Sequence, residues 1–193
     1  MMHEGIFGKI MNTLFKIYED EIGNGYLERN HPFIYRQLLK SLNLNLPSIA
    51  SKSFIEHSGF LDSAFDLPVY LLSISKFTNS YLPELLGLNL AIETSGLGNV
   101  YLRLSEALSY WNIDPLIIDV HISIDNMSSG HSSLAIQAIE IYLDEVASGY
   151  GNAALQDHWH RIYTGYCSLQ SACRRFKFAL ICSYLVNRFT KKV

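Results

Sequence analysis

The composition of this 193-residue chain is that of a folded, slightly apolar protein, with 49% hydrophobic and 17% charged residues. The length is sufficient for one hydrophobic core, and we expect residues 1–193 to form a single domain. A net charge of −3 argues against a protein that binds nucleic acid. Because the three cysteines form no CxxC pair and the first residues do not resemble a signal peptide, we expect a cytoplasmic protein with reduced thiols.

Glycine, proline and acidic residues divide the first part of the chain into helical segments. Apolar residues at three- and four-residue spacing predict a helix from about residue 3 to 22, which ends at the Gly-Asn-Gly turn 23–25. Asn30 is the expected N-cap of a second helix, with Pro32 in its first turn. Further helices are predicted at about 49–57, from 66 onwards, at 85–94 and at 100–110.

The second part of the chain also reads as helical. Asp114-Pro115 predicts the start of a long helix from Leu116 to about Tyr142, and residues 155–188 form one or two further helices. No segment has the alternating pattern of a strand, and no apolar run is long enough to span a membrane. We therefore expect an all-α bundle of seven or eight helices.

One helical segment carries residues that are typical of a metal site. His121 and Asp125 are one helical turn apart and share a face. An imidazole and a carboxylate in that arrangement suit iron, manganese or zinc, although such pairs are also common on helix surfaces. His131 lies about 80° around an ideal helix from His121 and reaches the same centre only if the intervening segment is distorted.

Further candidate ligands lie in other segments. Glu93 ends an apolar helix, so its carboxyl group is paired, protonated or bound to a metal, or else the helix simply ends in solvent. Three more candidates flank the turn at residues 23–25: Glu21, Glu28 and His31. Glu28 and His31 have the Glu-x-x-His spacing that occurs in carboxylate-bridged di-iron bundles. If Asn30 is the N-cap, however, Glu28 lies outside the helix. Asp20 is expected to be solvated.

Three stretches of the sequence together resemble a known family. PELLGLNLAIETSGLG, HISIDNMSSGHSSLAIQAI and WHRIYTGY resemble the iron-containing redox enzymes, which are haem-oxygenase-like di-metal oxidases and oxygenases. The resemblance extends from about residue 18 to 166. It implies a seven-helix bundle that binds no haem, holds two Fe(II) ions with carboxylates and histidines, and uses dioxygen as co-substrate.

The resemblance also implies a set of ligands. The ligand helix of the family reads His-x3-Asp-x2-His, and His121 and Asp125 match its first two positions. Ser128 stands at the third position and His131 follows three residues later, which implies either a shifted third ligand or a weakened second metal site. Glu93 fits the carboxylate of the middle helix. The upstream ligands of the family correspond best to Glu21 and His31, with Glu28 as the alternate.

The function implied by the resemblance is the oxidation or fragmentation of a small carboxylate, such as an amino acid or a fatty acid. Arg161 is the expected anchor for the substrate carboxylate, with Arg103 as alternate, and Tyr163 is expected to line the pocket. Packing of the last helix is the competing explanation for Arg161 and Tyr163. Two other functions stay open: a metal-free thiaminase-like or cofactor-binding bundle, and a helical interaction protein that has lost the metal site.

The last helical segment carries apolar residues on nearly all of its sides between Phe176 and Phe189. Such a helix must be buried on more than one side, and we expect a homodimer. The arginine and lysine residues that flank the segment would also suit an anionic membrane surface.

Overall fold

The computed structural model describes residues 4–97, 99–124 and 129–190, and all regular secondary structure within these ranges is helical. The prediction of an all-α protein is confirmed. Two short 3-10 helices, Leu27–Arg29 and Asp62–Phe65, lie between the longer ones. The α-helices are α1 (Glu4–Glu21), α2 (His31–Ser41), α3 (Lys52–Ile55), α4 (Asp66–Ser75), α5 (Thr78–Thr94), α6 (Asn99–Tyr110), α7 (Leu116–Ile124) and α8 (His131–Thr190).

The chain divides into two compact units, and each has its own buried residues. The first unit consists of Met1–Asn45 and Asn89–His160, and the second of Leu46–Leu88 and Arg161–Val193. Ile10, Ala138 and Val146 are among the buried apolar residues of the first unit, while Leu86 and Ile162 are buried in the second. The expectation of a single domain stays a prediction.

The start of α2 follows the local signals in the sequence. The side chain of Asn30 accepts a hydrogen bond from the backbone N–H of Phe33 at 2.9 Å, as an N-cap does. Pro32 lies in the first turn, where its missing N–H has no partner to lose. The N-cap prediction is therefore confirmed, and His31 is fixed as the first residue of α2.

The prediction of one helix from Leu116 to Tyr142 is wrong. Helix α7 ends at Ile124 and α8 begins at His131, while Ser129 and Gly130 between them are not helical. Residues 125–128 lie outside the described ranges. His121 and His131 therefore belong to different helices. Helix α7 packs against α6 and α2.

Helix α8 is itself interrupted at Gly151, which has φ 79° and ψ −179°. The hydroxyl of Tyr142 and Nδ1 of His158, on either side of this glycine, are hydrogen-bonded. In a straight helix these residues would be separated by about 24 Å along the axis, too far for their side chains to meet. The chain therefore turns back at Gly151, and residues 131–150 and the beginning of the next helical stretch run antiparallel.

The C-terminal part of α8 exposes large apolar side chains. Phe178 and Tyr184 are 72% and 62% accessible to solvent, and the same holds to a lesser degree for Ile181 and Leu185. These apolar side chains of the last helical segment are therefore not buried within the chain itself. Among the described helices, none combines the length and the hydropathy needed to cross a membrane.

Candidate metal centre

Two groups of potential metal ligands lie in the first unit, and they share one residue. Glu21, His31 and His121 form the first group, and Glu21, Glu93 and His131 form the second. In each group one donor atom per residue lies within 4.8 Å of the others. Two ligand atoms of one ion are at most about 4.2 Å apart. The distances within either group would therefore need to shorten only slightly for a metal ion to bind.

The carboxylate of Glu21 faces the two groups with different oxygens. Its Oε2 lies 2.7 Å from Nδ1 of His31, and its Oε1 lies 3.7 Å from Nδ1 of His131. A carboxylate that presents one oxygen to each of two ligand groups has the arrangement of a bridging ligand. Carboxylates of this kind hold the metal pair in di-iron helical bundles.

A tight turn between α1 and α2 brings Glu21 and His31 together. Gly23 adopts φ 85°, and a Cβ there would lie 2.4 Å from the carbonyl oxygen of Tyr26, so only glycine fits this position. Asn30 fastens the turn because its Nδ2 donates to the carbonyl oxygen of Ile22 at 3.1 Å. The same asparagine that caps α2 thereby holds the end of α1 against the start of α2.

The orientation of His121 is set by the backbone of its own helix. Nδ1 of His121 lies 2.6 Å from the carbonyl oxygen of Ile117, which can only accept a hydrogen. Nδ1 is therefore the protonated nitrogen, and Nε2 is left as the ligand atom. The centroid of the His121 ring lies 4.5 Å from that of His31. The same ring packs edge-on against Tyr101.

The second group forms where α8 begins beside the end of α5. Ser132 donates a hydrogen bond to the carbonyl oxygen of Glu93 at 2.8 Å, and this contact is fully buried. It places Nδ1 of His131 at 3.3 Å from Oε2 of Glu93. Only 1% of His131 and 7% of Glu93 is accessible, so the alternative in which the helix simply ends in solvent at Glu93 is wrong.

The surroundings of Glu21 favour its ionised form. Burial by itself raises the pKa of this carboxyl, but the short contact with His31 and the charges of the neighbouring histidines outweigh burial. The pKa of Glu21 therefore lies below its ordinary value of 4.5. An ionised carboxylate is the form that binds a cation.

The residues present fit a bound metal ion. Nε2 of His31 is buried and has no hydrogen-bond partner within the described ranges, a state that costs about 1–3 kcal/mol unless a ligand satisfies it. Carboxylates and imidazoles, with no thiolate among them, are the donors that suit iron in non-haem sites. The donor set and this unpaired nitrogen therefore match the iron that the resemblance implies.

Several predicted site residues are not brought into the two groups. Asp125, together with Ser128, lies outside the described residues, and its predicted ligand role stays a prediction. Glu28 is exposed in the short 3-10 helix Leu27–Arg29 and belongs to neither group, so the structure favours Glu21 over this alternate.

Asp20 is a residue whose role the sequence reading missed. Its Oδ2 lies 3.2 Å from Nε2 of His131, although 38% of its side chain is accessible, so Asp20 is partly solvated as expected but also contacts a candidate ligand. The contact joins residues 111 positions apart. No local spacing in the sequence could have indicated it.

Arg161 and Tyr163, the predicted pocket residues, belong to the second unit. The guanidinium of Arg161 donates to both carboxylate oxygens of Glu84, at 2.7 and 2.8 Å, and also to the carbonyl oxygen of Ser80. Tyr163 is exposed, and its hydrogen bond with Cys167 raises the pKa of the phenol above its ordinary value of 10.0. Their predicted roles toward a substrate stay predictions.

Comparison with known proteins identifies the family of the chain. The model of the iron-containing redox enzyme family matches residues 1–166, which include every member of both ligand groups. No curated protein and no solved structure gives a significant match. The helical architecture agrees with the family match, and the chain belongs to the iron-containing redox enzymes.

Proposed function

We propose that this protein is a non-haem di-iron oxidoreductase that uses dioxygen to oxidise or fragment a small carboxylate substrate. The observation that carries the proposal is the shared carboxylate of Glu21, which belongs to two adjacent groups of ligands. One group alone would suggest a single ion. Two groups joined by one carboxylate suggest that the site would hold a pair of ions.

Each group would hold one Fe(II). Glu21, His31 and His121 would bind the first ion, and Glu21, Glu93 and His131 the second. Asp125 is proposed as a further ligand on the strength of the family motif. Bound Fe(II) supplies open coordination positions and the electrons with which dioxygen is reduced.

The protein residues keep the ligands ordered and dry. Ser132 and Asn30 hold the backbone around two of the ligands by the hydrogen bonds described above. Because Glu93, His31 and His131 are buried, water has little access to the donor atoms of these three ligands, whereas Glu21 and His121 are partly exposed. A site of this kind can withhold reaction with dioxygen until a substrate binds, which protects its own ligands from oxidation.

The proposal is tested by anaerobic titration of the metal-free protein with Fe(II), followed by measurement of oxygen uptake. We expect the unaltered chain to bind two equivalents. Glu21→Gln should weaken both sites at least tenfold, because the bridging ligand loses its charge. Glu28→Gln is the matched control, and it should still bind two equivalents because its side chain is exposed and belongs to neither group.

Oxygen uptake by the iron-loaded protein is then recorded with a panel of amino acids and fatty acids. Uptake that depends on one class of carboxylate supports the proposed reaction and identifies the substrate class. No iron binding by the unaltered chain would leave a metal-free bundle or an interaction protein. Equal uptake with and without every compound would refute the proposed dependence on substrate.

A further inference from the structure

The imidazole of His131 has acidic groups on both of its nitrogen atoms. Nε2 lies 3.2 Å from Oδ2 of Asp20, whereas Nδ1 lies 3.3 Å from Glu93 and 3.7 Å from Glu21. The lone-pair directions of the two nitrogens diverge from the ring, so Asp20 lies on the opposite side of the imidazole from the ligand group. Asp20 accordingly does not belong to either group of ligands found among the described residues.

This arrangement decides which nitrogen of His131 binds a metal. A carboxylate can only accept a hydrogen bond, so the contact with Asp20 requires a hydrogen on Nε2. Nδ1, which faces the carboxylates of Glu21 and Glu93, is then the nitrogen whose lone pair would be available to a bound metal ion. A carboxylate on the far nitrogen of a ligand histidine fixes the ring and makes it more basic toward the metal.

The turn that follows α1 orients the side chain of Asp20. Nδ2 of Asn24 donates to Oδ1 of Asp20 at 2.5 Å, which leaves Oδ2 for the imidazole. Asn24 adopts φ 51°, between two glycines at φ 85°. This left-handed turn carries the side chain of Asn24 back over the last turn of α1, so the Gly-Asn-Gly sequence does more than end the helix.

We propose that Asp20 is a positioning residue that holds His131 with Nδ1 toward the second metal position, and that Asn24 holds Asp20 in place. The inference rests on the proposed function, because it concerns one of the two proposed iron positions. It predicts an asymmetry between them: a change at Asp20 weakens the position formed by Glu21, Glu93 and His131 and spares the position formed with His31 and His121.

The first measurement uses the metal-free protein. In ¹⁵N-labelled protein, at an alkaline pH at which the imidazoles are neutral, long-range proton–nitrogen correlation spectra distinguish the two neutral tautomers of each histidine. We expect His131 to carry its hydrogen on Nε2, and Asp20→Ala to abolish this preference. Asp20→Asn should retain it, because the amide oxygen still accepts the bond. Glu19→Ala is the matched control, an exposed acid one residue away on the same helix.

The second measurement is Zn(II) titration of the same variants, with Zn(II) as a redox-inert probe. Asp20→Ala should bind one equivalent as the unaltered chain does and the other 10–100-fold more weakly, the usual cost of losing such a partner. Asp20→Asn should recover most of that affinity, and Glu19→Ala should not change it. A general loss of folding would instead weaken both positions together.

The outcomes separate the two proposals. One outcome is that the unaltered chain binds two Zn(II) ions, but Asp20→Ala changes neither the tautomer of His131 nor the affinity for either Zn(II) ion. The positioning role is then refuted and the di-metal centre stands. If binding of Zn(II) changes the ¹⁵N chemical shift of Nε2 of His131 instead of that of Nδ1, the assignment of the ligand atom is refuted. If the unaltered chain binds neither Zn(II) nor Fe(II), the proposed function fails, and the positioning role fails with it.

Discussion

The side chain of Arg161 is held by an acidic partner on helix α5. Both oxygens of Glu84 accept hydrogen bonds from its guanidinium, and the Glu84 side chain is 14% accessible while that of Arg161 is 33% accessible. A two-bond pair of this kind is among the stronger polar interactions in proteins. Arg161 therefore has a structural role in the second unit, whether or not it also meets a substrate.

We predict that Arg161→Ala lowers the free energy of unfolding of the metal-free protein by about 1.5–3 kcal/mol, because the largely buried Glu84 carboxylate is left without its charged partner. Urea denaturation measures this change. The double variant Arg161→Ala with Glu84→Gln should be less destabilised than the sum of the two single variants.

The same variant separates structural support from substrate binding. If the unfolding free energy of Arg161→Ala is unchanged and only the KM of the identified substrate rises, Arg161 acts as the carboxylate anchor and the structural role is wrong. If stability falls and KM does not change, the predicted anchor role is wrong.

At the scale of the element, Gly151 determines the shape of α8. Its φ of 79° combined with ψ of −179° lies in a region that essentially only glycine occupies. The antiparallel contact between Tyr142 and His158 depends on this conformation. A residue with a Cβ at position 151 must either adopt a strained backbone or open the turn.

We predict that Gly151→Ala destabilises the protein by about 1–3 kcal/mol through this backbone strain. Gly149→Ala is the matched control, since it lies within the helix and a Cβ there would meet no atom within 4 Å. This control should be neutral or stabilising by up to about 1 kcal/mol. Thermal unfolding of both variants checks the prediction, and equal melting temperatures would show that residues 131–160 do not need the turn.

At the scale of the whole molecule, charge is distributed unevenly along the chain. All 18 acidic residues lie at or before Asp157, whereas residues 158–193 contain seven lysine and arginine residues. The exposed apolar side chains of α8 lie in this basic segment. Association of the chain through this segment would bury apolar surface but bring positive charges together.

We predict a homodimer that forms through the exposed apolar side chains of α8, and that strengthens as salt rises because salt screens the like charges. Sedimentation equilibrium at micromolar concentration should give about twice the monomer mass of 21.9 kDa. Ile181→Gln should weaken the dimer, whereas Ile49→Gln, at an even more exposed apolar position outside this segment, should not.

A mass that stays at 21.9 kDa at every salt concentration would contradict the dimer. Binding to anionic vesicles that weakens with salt would instead support the membrane surface, which the flanking basic residues would also suit.

The helical class and several helix starts were available from the sequence because they depend on neighbours within about four residues. The N-cap at Asn30, the left-handed turn at residues 23–25 and the helical periodicity of α1 are all signals of this range. The spacing of the candidates and the family resemblance likewise named all five members of the two ligand groups. The interruption between α7 and α8 was missed, although Ser128, Ser129 and Gly130 are poor helix formers, because the helical pattern resumes at residues 133–141.

Tertiary contacts alone decided how those residues are used. The two groups that share Glu21, the burial of Glu93 and the approach of Asp20 to His131 depend on helices that are distant in sequence. Local propensity cannot specify such contacts, since their free energy comes from packing and hydrogen bonds between elements. The sequence by itself determined an all-helical member of an iron-containing family, and the tertiary structure decided which carboxylates meet which histidines.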